Sequence, residues 1–447
     1  MKKIIVFAVI LACCLACKTK EQPITPETAL KAYLNNTDPS FSWEVVDKIH
    51  NDGTTHYKVV FTSQKWREYT WKHDLVIIVP DVLKYHDALL YMTGGINVDG
   101  KPVSESWTNK FVTFMNQTAK NNMAITAVLL QVPNQPLYGE LTEDALISYT
   151  MHNYLNDGDM TWPLLFPMTK SAVRAMDVVQ QFSGKNLKWK VKEFVVSGQS
   201  KRGWTTWLAG ANDKRVKAIA PMVIDVLNMP VSVDYQIESW KEYSVEIEDY
   251  VKLGIAQQIA TKGGLDIVAM VDPYSYRKSL TMTKMLFMGT NDPYWPVDAV
   301  KNYIDDIPGT HFFCYVPNAK HNLGDGKKAF SSLDAFFEIT ITGEKHPICD
   351  YTINGKPDVI TLHVKTTPDV LVGAELWMAQ SPDQDFRNDT WSGKDLNVTH
   401  QKDFTVNIDY PTTGFKAFFV DLKYQTKAGR EYTKSTRMFL TTDKTLL

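Results

Sequence analysis

Residues 193–207 read EFVVSGQSKRGWTTW, an apolar run that breaks at a Gly-x-Ser and continues in a helix-like pattern. The break predicts a strand, a sharp turn that carries Ser200 and then a helix, which is how nucleophilic serines are presented. Gly198 lacks the Cβ atom for which so tight a turn has no room. A second glycine would be usual at position 202, but Arg202 stands there and Gly203 follows. We expect the turn to open slightly at Arg202 or to direct that side chain outward.

Similar apolar runs recur along the chain and are typical of strands buried on both faces of a sheet. They occupy residues 75–79, 88–92, 124–132, 218–224, 284–288 and 312–316. Helix-like segments lie between most of them, at residues 106–118, 144–155, 171–182 and 299–305. Strands that alternate with helices predict a mostly parallel α/β sheet, and the serine turn indicates the α/β-hydrolase type of that fold.

The connection at residues 226–282 is longer than a simple crossover needs, and it carries aromatic side chains in helix-like surroundings. Long connections in compact domains are usually functional lids or inserted caps. We predict a helical cap over the active site, and extra helical packing on the edge of the sheet is the alternative.

The pattern of apolar and polar residues changes again near residue 345. Residues 350–447 contain alternating apolar and polar runs separated by Pro, Gly, Asp and Asn, which favours antiparallel strands. The length of this region suggests a small all-β sandwich. We therefore predict a hydrolase domain at residues 18–345, with the cap inserted in it, and a β-sandwich domain at residues 350–447.

Two later loops carry the acid and the base that a serine nucleophile needs. The run 284–288 ends in a loop with Asp292, and the run 312–316 ends in a loop with His321. The order Ser, Asp, His along the chain is that of α/β-hydrolases. We predict that His321 takes the proton of Ser200 and that Asp292 fixes the tautomer of the histidine.

Other residues compete for these roles. Asp225 is the serious alternative for the acid because it ends the preceding strand, and Asp298 is a second. His311 is an alternative base, but it lies at the start of its strand, which is the wrong end. Each predicted residue alone also fits an ordinary turn or surface position, whereas the three in this order favour catalysis.

The negative charge of a tetrahedral intermediate must also be held. The backbone N–H of Lys201, directly after the serine, is one predicted donor. The second is expected from Gly94 and Gly95, because these glycines follow the strand 88–92 where members of this fold keep an oxyanion loop.

The first residues predict an export signal. Two lysines precede the apolar run 4–16, which is too short for a permanent membrane span but suits a signal peptide. The sequence LAC at residues 15–17 resembles a bacterial lipobox, with Cys17 as the lipidated residue. We therefore predict a signal peptide at residues 1–17 and a protein anchored by lipid in the bacterial cell envelope, on its periplasmic or surface face. An ordinary cleaved signal is the alternative.

Composition excludes several partners. The 447 residues carry 48 Lys plus Arg against 50 Asp plus Glu, a net charge of -2 that favours neither nucleic acid nor an anionic membrane surface. We expect membrane contact through the lipid alone. No His, Cys or Asp cluster has the spacing of metal ligands, and we predict no metal and no cofactor. Cys314 and Cys349 fit either an exported disulfide or two buried thiols.

Several motifs resemble the PhoPQ-activated pathogenicity-related proteins. They lie at residues 38–43, 62–64, 200–204, 219–225, 289–295 and 316–319. The resemblance implies an α/β-hydrolase with a signal sequence and a β-rich tail, and some members are linked with resistance to cationic peptides. It does not supply a substrate. The chain departs from the expected pattern at Lys320, where the family is expected to have a glycine before the histidine.

The Gly-x-Ser followed by a basic residue is also similar to the serine turn of glucuronoyl and related carbohydrate esterases. In those enzymes the basic side chain lies near the oxyanion, which implies that the ammonium group of Lys201 could stabilise the intermediate. The alternative is a solvated lysine on the first helical turn.

Together these features predict an exported serine hydrolase that acts through an acyl-enzyme on a small-molecule, carbohydrate-ester or peptide substrate. An ester is favoured because nothing in the sequence indicates a peptide subsite. A peptidase of the same mechanism, or a non-catalytic envelope protein that binds its partner on a hydrolase scaffold, is the alternative.

Overall fold

The computed structural model of the protein describes residues 23–447. The predicted signal peptide and Cys17 lie outside the described residues.

The helices and strands within this range have the following bounds. The α-helices are α1 (Pro26–Leu34), α2 (Lys110–Asn122), α3 (Glu143–Asp157), α4 (Leu165–Phe182), α5 (Lys201–Asn212), α6 (Met229–Trp240), α7 (Glu248–Lys252), α8 (Lys262–Val271) and α9 (Lys327–Thr342). The first eleven strands are β1 (Ser42–Asn51), β2 (Thr54–Trp66), β3 (Tyr69–Pro80), β4 (Ala88–Met92), β5 (Asn97–Val98), β6 (Lys101–Pro102), β7 (Thr126–Leu129), β8 (Phe194–Gln199), β9 (Val216–Met222), β10 (Thr283–Gly289) and β11 (His311–Val316). The remaining strands are β12 (Cys349–Lys356), β13 (Val359–Thr366), β14 (Leu371–Ser381), β15 (Ser392–Asp395), β16 (Asp403–Ile408), β17 (Phe415–Gln425), β18 (Glu431–Ser435) and β19 (Phe439–Thr441).

One mixed sheet runs through the molecule in the order β1-β2-β3-β7-β4-β8-β9-β10-β11-β18-β17-β14-β15, and β19 pairs with β17. The six strands from β7 to β11 in this order are parallel. An antiparallel meander, β1 to β3, extends one edge, and antiparallel strands extend the other. The mostly parallel core that the sequence predicts is confirmed.

Side chains on the two faces of the parallel strands enter different cores. Leu90 and Val196 pack on one face, with residues of α4 and α5, whereas Leu89 and Val195 pack on the other, with residues of α2 and α9. All four side chains are fully buried. Because successive residues of a strand point to opposite faces, burial of both faces explains the unbroken apolar runs in the sequence.

Two predicted segments differ from the observed elements. The predicted helix at 299–305 is a pair of 3-10 helices, Ala299–Asn302 and Ile304–Asp306. Tyr303 between them has an extended φ of -149°, which no α-helix accommodates. The predicted strand at 124–132 is regular only in β7.

Helix α2 begins later than predicted. Asn109 caps it, because the Asn109 side chain accepts a hydrogen bond from the Phe111 N–H at 2.9 Å. Residues 106–109 therefore form the approach to the helix.

The connection at 226–282 contains α6, α7 and α8 together with 3-10 turns at Val245–Ile247 and Pro273–Ser279. The predicted helical insert is confirmed. Helix α8 also packs against α1, so part of the insert does contribute helical packing at the side of the domain.

The C-terminal region forms two facing sheets. Strands β12, β13 and β16 make a separate three-stranded sheet, and its Leu362 packs against Leu376 and Val420 of the large sheet. Ile339 of α9 belongs to the same core. The predicted antiparallel strands are confirmed, and β18 pairs with β11, so one layer continues the central sheet. The division into two domains stays a prediction.

The two cysteines of the described region, Cys314 and Cys349, are free thiols. Cys314 lies in β11 and is fully buried. Burial raises the pKa of its thiol to about 11, which keeps it protonated.

Candidate active site

Ser200 stands between the last residue of β8 and the first of α5. Its backbone has φ 58° and ψ -122°, a conformation that a residue with a side chain rarely adopts. The Ser200 N–H donates to the Met222 carbonyl at 2.9 Å, which holds the turn against β9. Strained backbone of this kind is how a strand-to-helix turn presents a serine hydroxyl.

The two glycines of the turn are required by close contacts. A Cβ atom on Gly198 would lie 2.7 Å from Cβ of Arg202, and one on Gly203 would lie 2.8 Å from the carbonyl oxygen of Met222. Both separations are shorter than side chains tolerate. Gly203 is therefore the residue that lets α5 lie against β9, and a glycine at position 202 is not needed for this contact.

The side chain of Arg202 is directed inward, so the second of the two alternatives expected at this position, an outward side chain, is wrong. Only 8% of the residue is exposed. Its Nη1 and Nη2 donate to the two carboxylate oxygens of Glu143 at 2.8 and 2.6 Å, and its Nε donates to the Val132 carbonyl. Burial raises the pKa of the Glu143 carboxyl. The charge and hydrogen bonds of Arg202, acting together with Lys201 and Gln135, outweigh burial, so the net pKa is below the usual value. The sequence does not indicate this partner, since Glu143 is remote in the chain.

Ser200, His321 and Asp292 form one chain of contacts. The Ser200 Oγ lies 2.8 Å from Nε2 of His321, and Nδ1 of His321 lies 2.8 and 3.0 Å from the two carboxylate oxygens of Asp292. Asp292 follows β10 and His321 follows β11, so both reach the carboxyl edge of the parallel strands where the serine turn lies. This arrangement can activate a hydroxyl nucleophile.

Tyr294 supports the acid and the base, and the sequence does not single it out. Its N–H donates to the Asp292 carboxylate at 2.9 Å. Its ring lies against the His321 imidazole, with 4.2 Å between the ring centres. The two contacts restrict the rotation of both side chains.

The alternative acids lie elsewhere. Asp225 accepts a hydrogen bond from the Tyr303 hydroxyl at 2.5 Å, and its contacts do not include His321. Burial raises the pKa of Asp225 to about 7, and the Tyr303 hydroxyl partly opposes this rise. Asp298 is bound by the Tyr235 hydroxyl and by Lys301.

The predicted oxyanion donors adjoin the serine. Gly94, Lys201 and Ser200 line a cleft of about 330 Å³. Within residues 23–447, neither the Gly94 N–H nor the Lys201 N–H donates a hydrogen bond to a protein acceptor. Gly95 has φ 143°, and a Cβ atom there would lie 3.2 Å from Gln131. Gly95 therefore shapes the loop, while Gly94 faces the cleft.

The ammonium group of Lys201 is paired, and the alternative of a solvated lysine is wrong. Its Nζ lies 2.6 Å from Oδ2 of Asp144, and 11% of the side chain is exposed. The Asp144 carboxylate also accepts hydrogen bonds from the hydroxyls of Tyr250 and Tyr294 at 3.0 and 3.2 Å. The role of this ammonium group at an oxyanion stays a prediction.

Ser200 and His321 also line a second cavity, of about 60 Å³. Residues of the helical insert form much of its wall, including side chains from α6 and α7. The insert therefore covers the serine, as a cap does.

In the part of the chain that the structure describes, no group of three or more His, Cys, Asp or Glu side chains is arranged to hold a metal ion. No helix of that part is both long and apolar enough to cross a membrane.

The parallel strands, the strained serine turn and the covering insert define an α/β-hydrolase fold. Acetyl xylan esterase 1 from Thermoanaerobacterium sp. has the same fold, with a TM-score of 0.50 and 14% identity over 71% of this chain and 93% of that chain. The glucuronoyl esterase from Solibacter usitatus aligns with a TM-score of 0.43 and 13% identity over 70% of this chain and 92% of that chain.

The chain belongs to the family described as PhoPQ-activated pathogenicity-related protein, whose model matches residues 30–387. The family resemblance of the sequence motifs is thereby confirmed. Autocrine proliferation repressor protein A of Dictyostelium discoideum is 30% identical over 431 residues, which cover 89% of this chain and 86% of that protein.

Proposed function

We propose that the protein is a serine hydrolase that cleaves carboxylic esters through an acyl-enzyme. The observation that carries the proposal is the unbroken chain of short contacts from Ser200 through His321 to Asp292, with 2.8 Å at each step. It lies beside two cavities and two backbone N–H groups that can bind a substrate carbonyl.

The reaction follows from this geometry. Ser200 Oγ attacks the ester carbonyl as its proton passes to Nε2 of His321, and Asp292 stabilises the imidazolium that forms. The negative charge of the tetrahedral intermediate lies between the N–H groups of Lys201 and Gly94. The intermediate collapses, and the leaving alcohol takes the proton from His321. Water then attacks the acyl-enzyme by the same route and releases the acid and Ser200.

An ester is preferred to a peptide as substrate. Peptidases that bind a free amino terminus need an available carboxylate near the serine. The two nearby acids, Glu143 and Asp144, are already paired with Arg202 and Lys201. Because neither carboxylate is available to bind an amino terminus, cleavage of a small-molecule or carbohydrate ester fits the site better. The test below therefore also assays peptide substrates, which would identify a peptidase.

We also propose export and lipid attachment, supported by the apolar run 4–16 and by the lipobox-like residues that end in Cys17. The test is metabolic labelling with a radioactive fatty acid in a bacterial host. Cys17→Ser is expected to abolish the label, and Cys13→Ser, a cysteine four residues earlier, is expected to retain it. Label that persists in Cys17→Ser would contradict the proposal.

The decisive test of catalysis is reaction with a fluorophosphonate probe. The wild-type protein is expected to label, and Ser200→Ala is expected to lose both the label and the hydrolysis of p-nitrophenyl butyrate. Ser331→Ala, an exposed serine on α9, is the matched control and should label as wild type does. Alanine p-nitroanilide and short peptides are assayed in parallel. Wild-type protein that does not label, beside a control hydrolase that does, would favour a non-catalytic binding protein.

A further inference from the structure

The cavity that the cap covers has an almost wholly apolar wall. Val226, Met229 and Val233 contribute from the start of the insert, and Ile255, Ala256 and Ile259 contribute from the turn before α8. These six residues are at most 6% exposed. Ser200 and His321 also line the cavity, so it adjoins the point at which the carbonyl carbon of a substrate would be attacked.

The Asp144 carboxylate and the Lys201 ammonium group of the same wall are already paired with each other. The Asp144 carboxylate is neutralised by Lys201 at 2.6 Å and accepts from the hydroxyls of Tyr250 and Tyr294. A charged group of a ligand would lose its hydration on entering this cavity without gaining a charged partner. The wall therefore disfavours a charged ligand and accepts an apolar one.

We infer that this cavity binds the acyl part of the substrate, an inference that rests on the proposed esterase function. It selects an uncharged, apolar acyl group with about four to six heavy-atom groups, each about the size of a water molecule. The size follows from the volume of about 60 Å³, since each water-sized group needs roughly 10–15 Å³ by the same measure. An acetyl group leaves most of this apolar wall uncovered. A long acyl chain enters only if the cap moves.

The first experiment measures kcat/KM for p-nitrophenyl esters of acetate, butyrate, hexanoate and dodecanoate, with the rate of Ser200→Ala subtracted. Each methylene that becomes buried improves kcat/KM about fourfold. Butyrate and hexanoate are expected to exceed acetate by about tenfold or more and to exceed dodecanoate. A charged ester, p-nitrophenyl succinate, is expected to react at least tenfold more slowly than butyrate. Best activity on acetate, dodecanoate or succinate overturns the inference.

The second experiment changes the size of the cavity. Ala256→Leu fills it, and the butyrate-to-acetate ratio is expected to fall about tenfold. Ala260→Leu is the matched control, because Ala260 is an exposed alanine of the same segment, and it should keep the wild-type ratio. Ile259→Ala enlarges the cavity and is expected to raise the hexanoate-to-butyrate ratio. Ratios that stay unchanged in both cavity variants overturn the inference.

Fluorophosphonate labelling separates the two ways of failing. A protein that labels but shows no preference among the esters overturns this inference and leaves the proposed function standing. A protein that neither labels nor hydrolyses any ester contradicts the proposed function, and the inference is lost with it. Labelling of each cavity variant also shows that its serine turn has folded.

Discussion

Asn318 and Trp391 are joined by a reciprocal pair of hydrogen bonds, which link the loop after β11 to the C-terminal region. The Asn318 side chain donates to the Trp391 carbonyl at 3.0 Å, and the Trp391 N–H donates to the Asn318 side-chain oxygen at 2.8 Å. Asn318 lies in the loop that carries His321. The C-terminal region therefore fixes the loop of the proposed base.

A similar set of hydrogen bonds fixes the loop of the proposed acid. Asn291, next to Asp292, donates from its side-chain nitrogen to the carbonyls of Phe386, Arg387 and Asp389. Asn291 is in turn bound by the Thr290 hydroxyl at 2.8 Å. The segment 386–391 thus holds both loops in place.

Removing the Asn318 side chain is expected to lower kcat about tenfold with less effect on KM, because a small displacement of the base disturbs the reacting geometry. The variant is Asn318→Gly, since Asn318 has φ 56° and glycine keeps that backbone conformation without strain. Asn397→Gly is the control: Asn397 is exposed, has φ 53° and lies outside this contact. Steady-state kinetics on p-nitrophenyl butyrate measures the effect. Equal kcat in the two variants would show that the Trp391 contact does not position His321.

The choice between the two candidate acids is tested by Asp292→Asn and Asp225→Asn. Asp292 contacts Nδ1 of His321, so its amide would favour the wrong tautomer, and kcat is expected to fall roughly 10³- to 10⁴-fold. Asp225 contacts Tyr303, and its variant is expected to keep turnover within a few-fold of wild type. Both rates are measured at pH 8. The reverse result would assign the role to Asp225.

Asp225 also predicts how stability depends on pH. Its pKa is raised to about 7 in the folded state by burial, against about 4 in an unfolded chain. Between about pH 4 and 7 the folded state holds a proton that the unfolded state has released. The Asp225 contribution to the free energy of unfolding therefore falls as the pH rises across this window, by up to about 4 kcal/mol.

Asp225→Asn removes this dependence and keeps an oxygen that accepts from the Tyr303 hydroxyl. The Tm of the variant minus that of the wild type is expected to increase from pH 5 to pH 8. Thermal unfolding followed by circular dichroism at both pH values measures the difference. A difference in Tm that does not change with pH would show that Asp225 titrates normally.

The sequence predicts those parts of the fold and site that depend on local pattern. Burial of both sheet faces leaves unbroken apolar runs, so the parallel strands are visible, and the ends of these strands point to Ser200, Asp292 and His321. The pairing of β18 with β11 cannot be predicted in this way, because the residue pattern of a strand does not specify its neighbour. Strand pairing of this kind is decided by the packing of the whole chain.

The contacts around the serine are equally hidden in the sequence. Arg202 meets Glu143 from 59 positions away, and Asn318 meets Trp391 from 73 positions away. Neither pair has a spacing that a helix or a strand would impose. Such pairs become recognisable only when the fold brings their elements together.

The Arg202–Glu143 ion pair gives the last prediction. Arg202→Met removes the closer of two cations from the Glu143 carboxylate and leaves only Lys201 Nζ, at 3.8 Å. A fully buried charge that loses its partner would cost about 3–5 kcal/mol. About a third of the Glu143 side chain is exposed, so water compensates part of the loss and we expect the free energy of unfolding to fall by about 2 kcal/mol.

The double variant Arg202→Met/Glu143→Gln removes the unpaired charge and is expected to recover at least half of that stability. The matched control is Arg277→Met, since Arg277 carries no ion pair in the described chain. Urea unfolding of the single and double variants measures the coupling energy. Additive losses in the double variant would mean that Arg202 stabilises the turn through its packing against Gly94 and Gly198 and not through its charge.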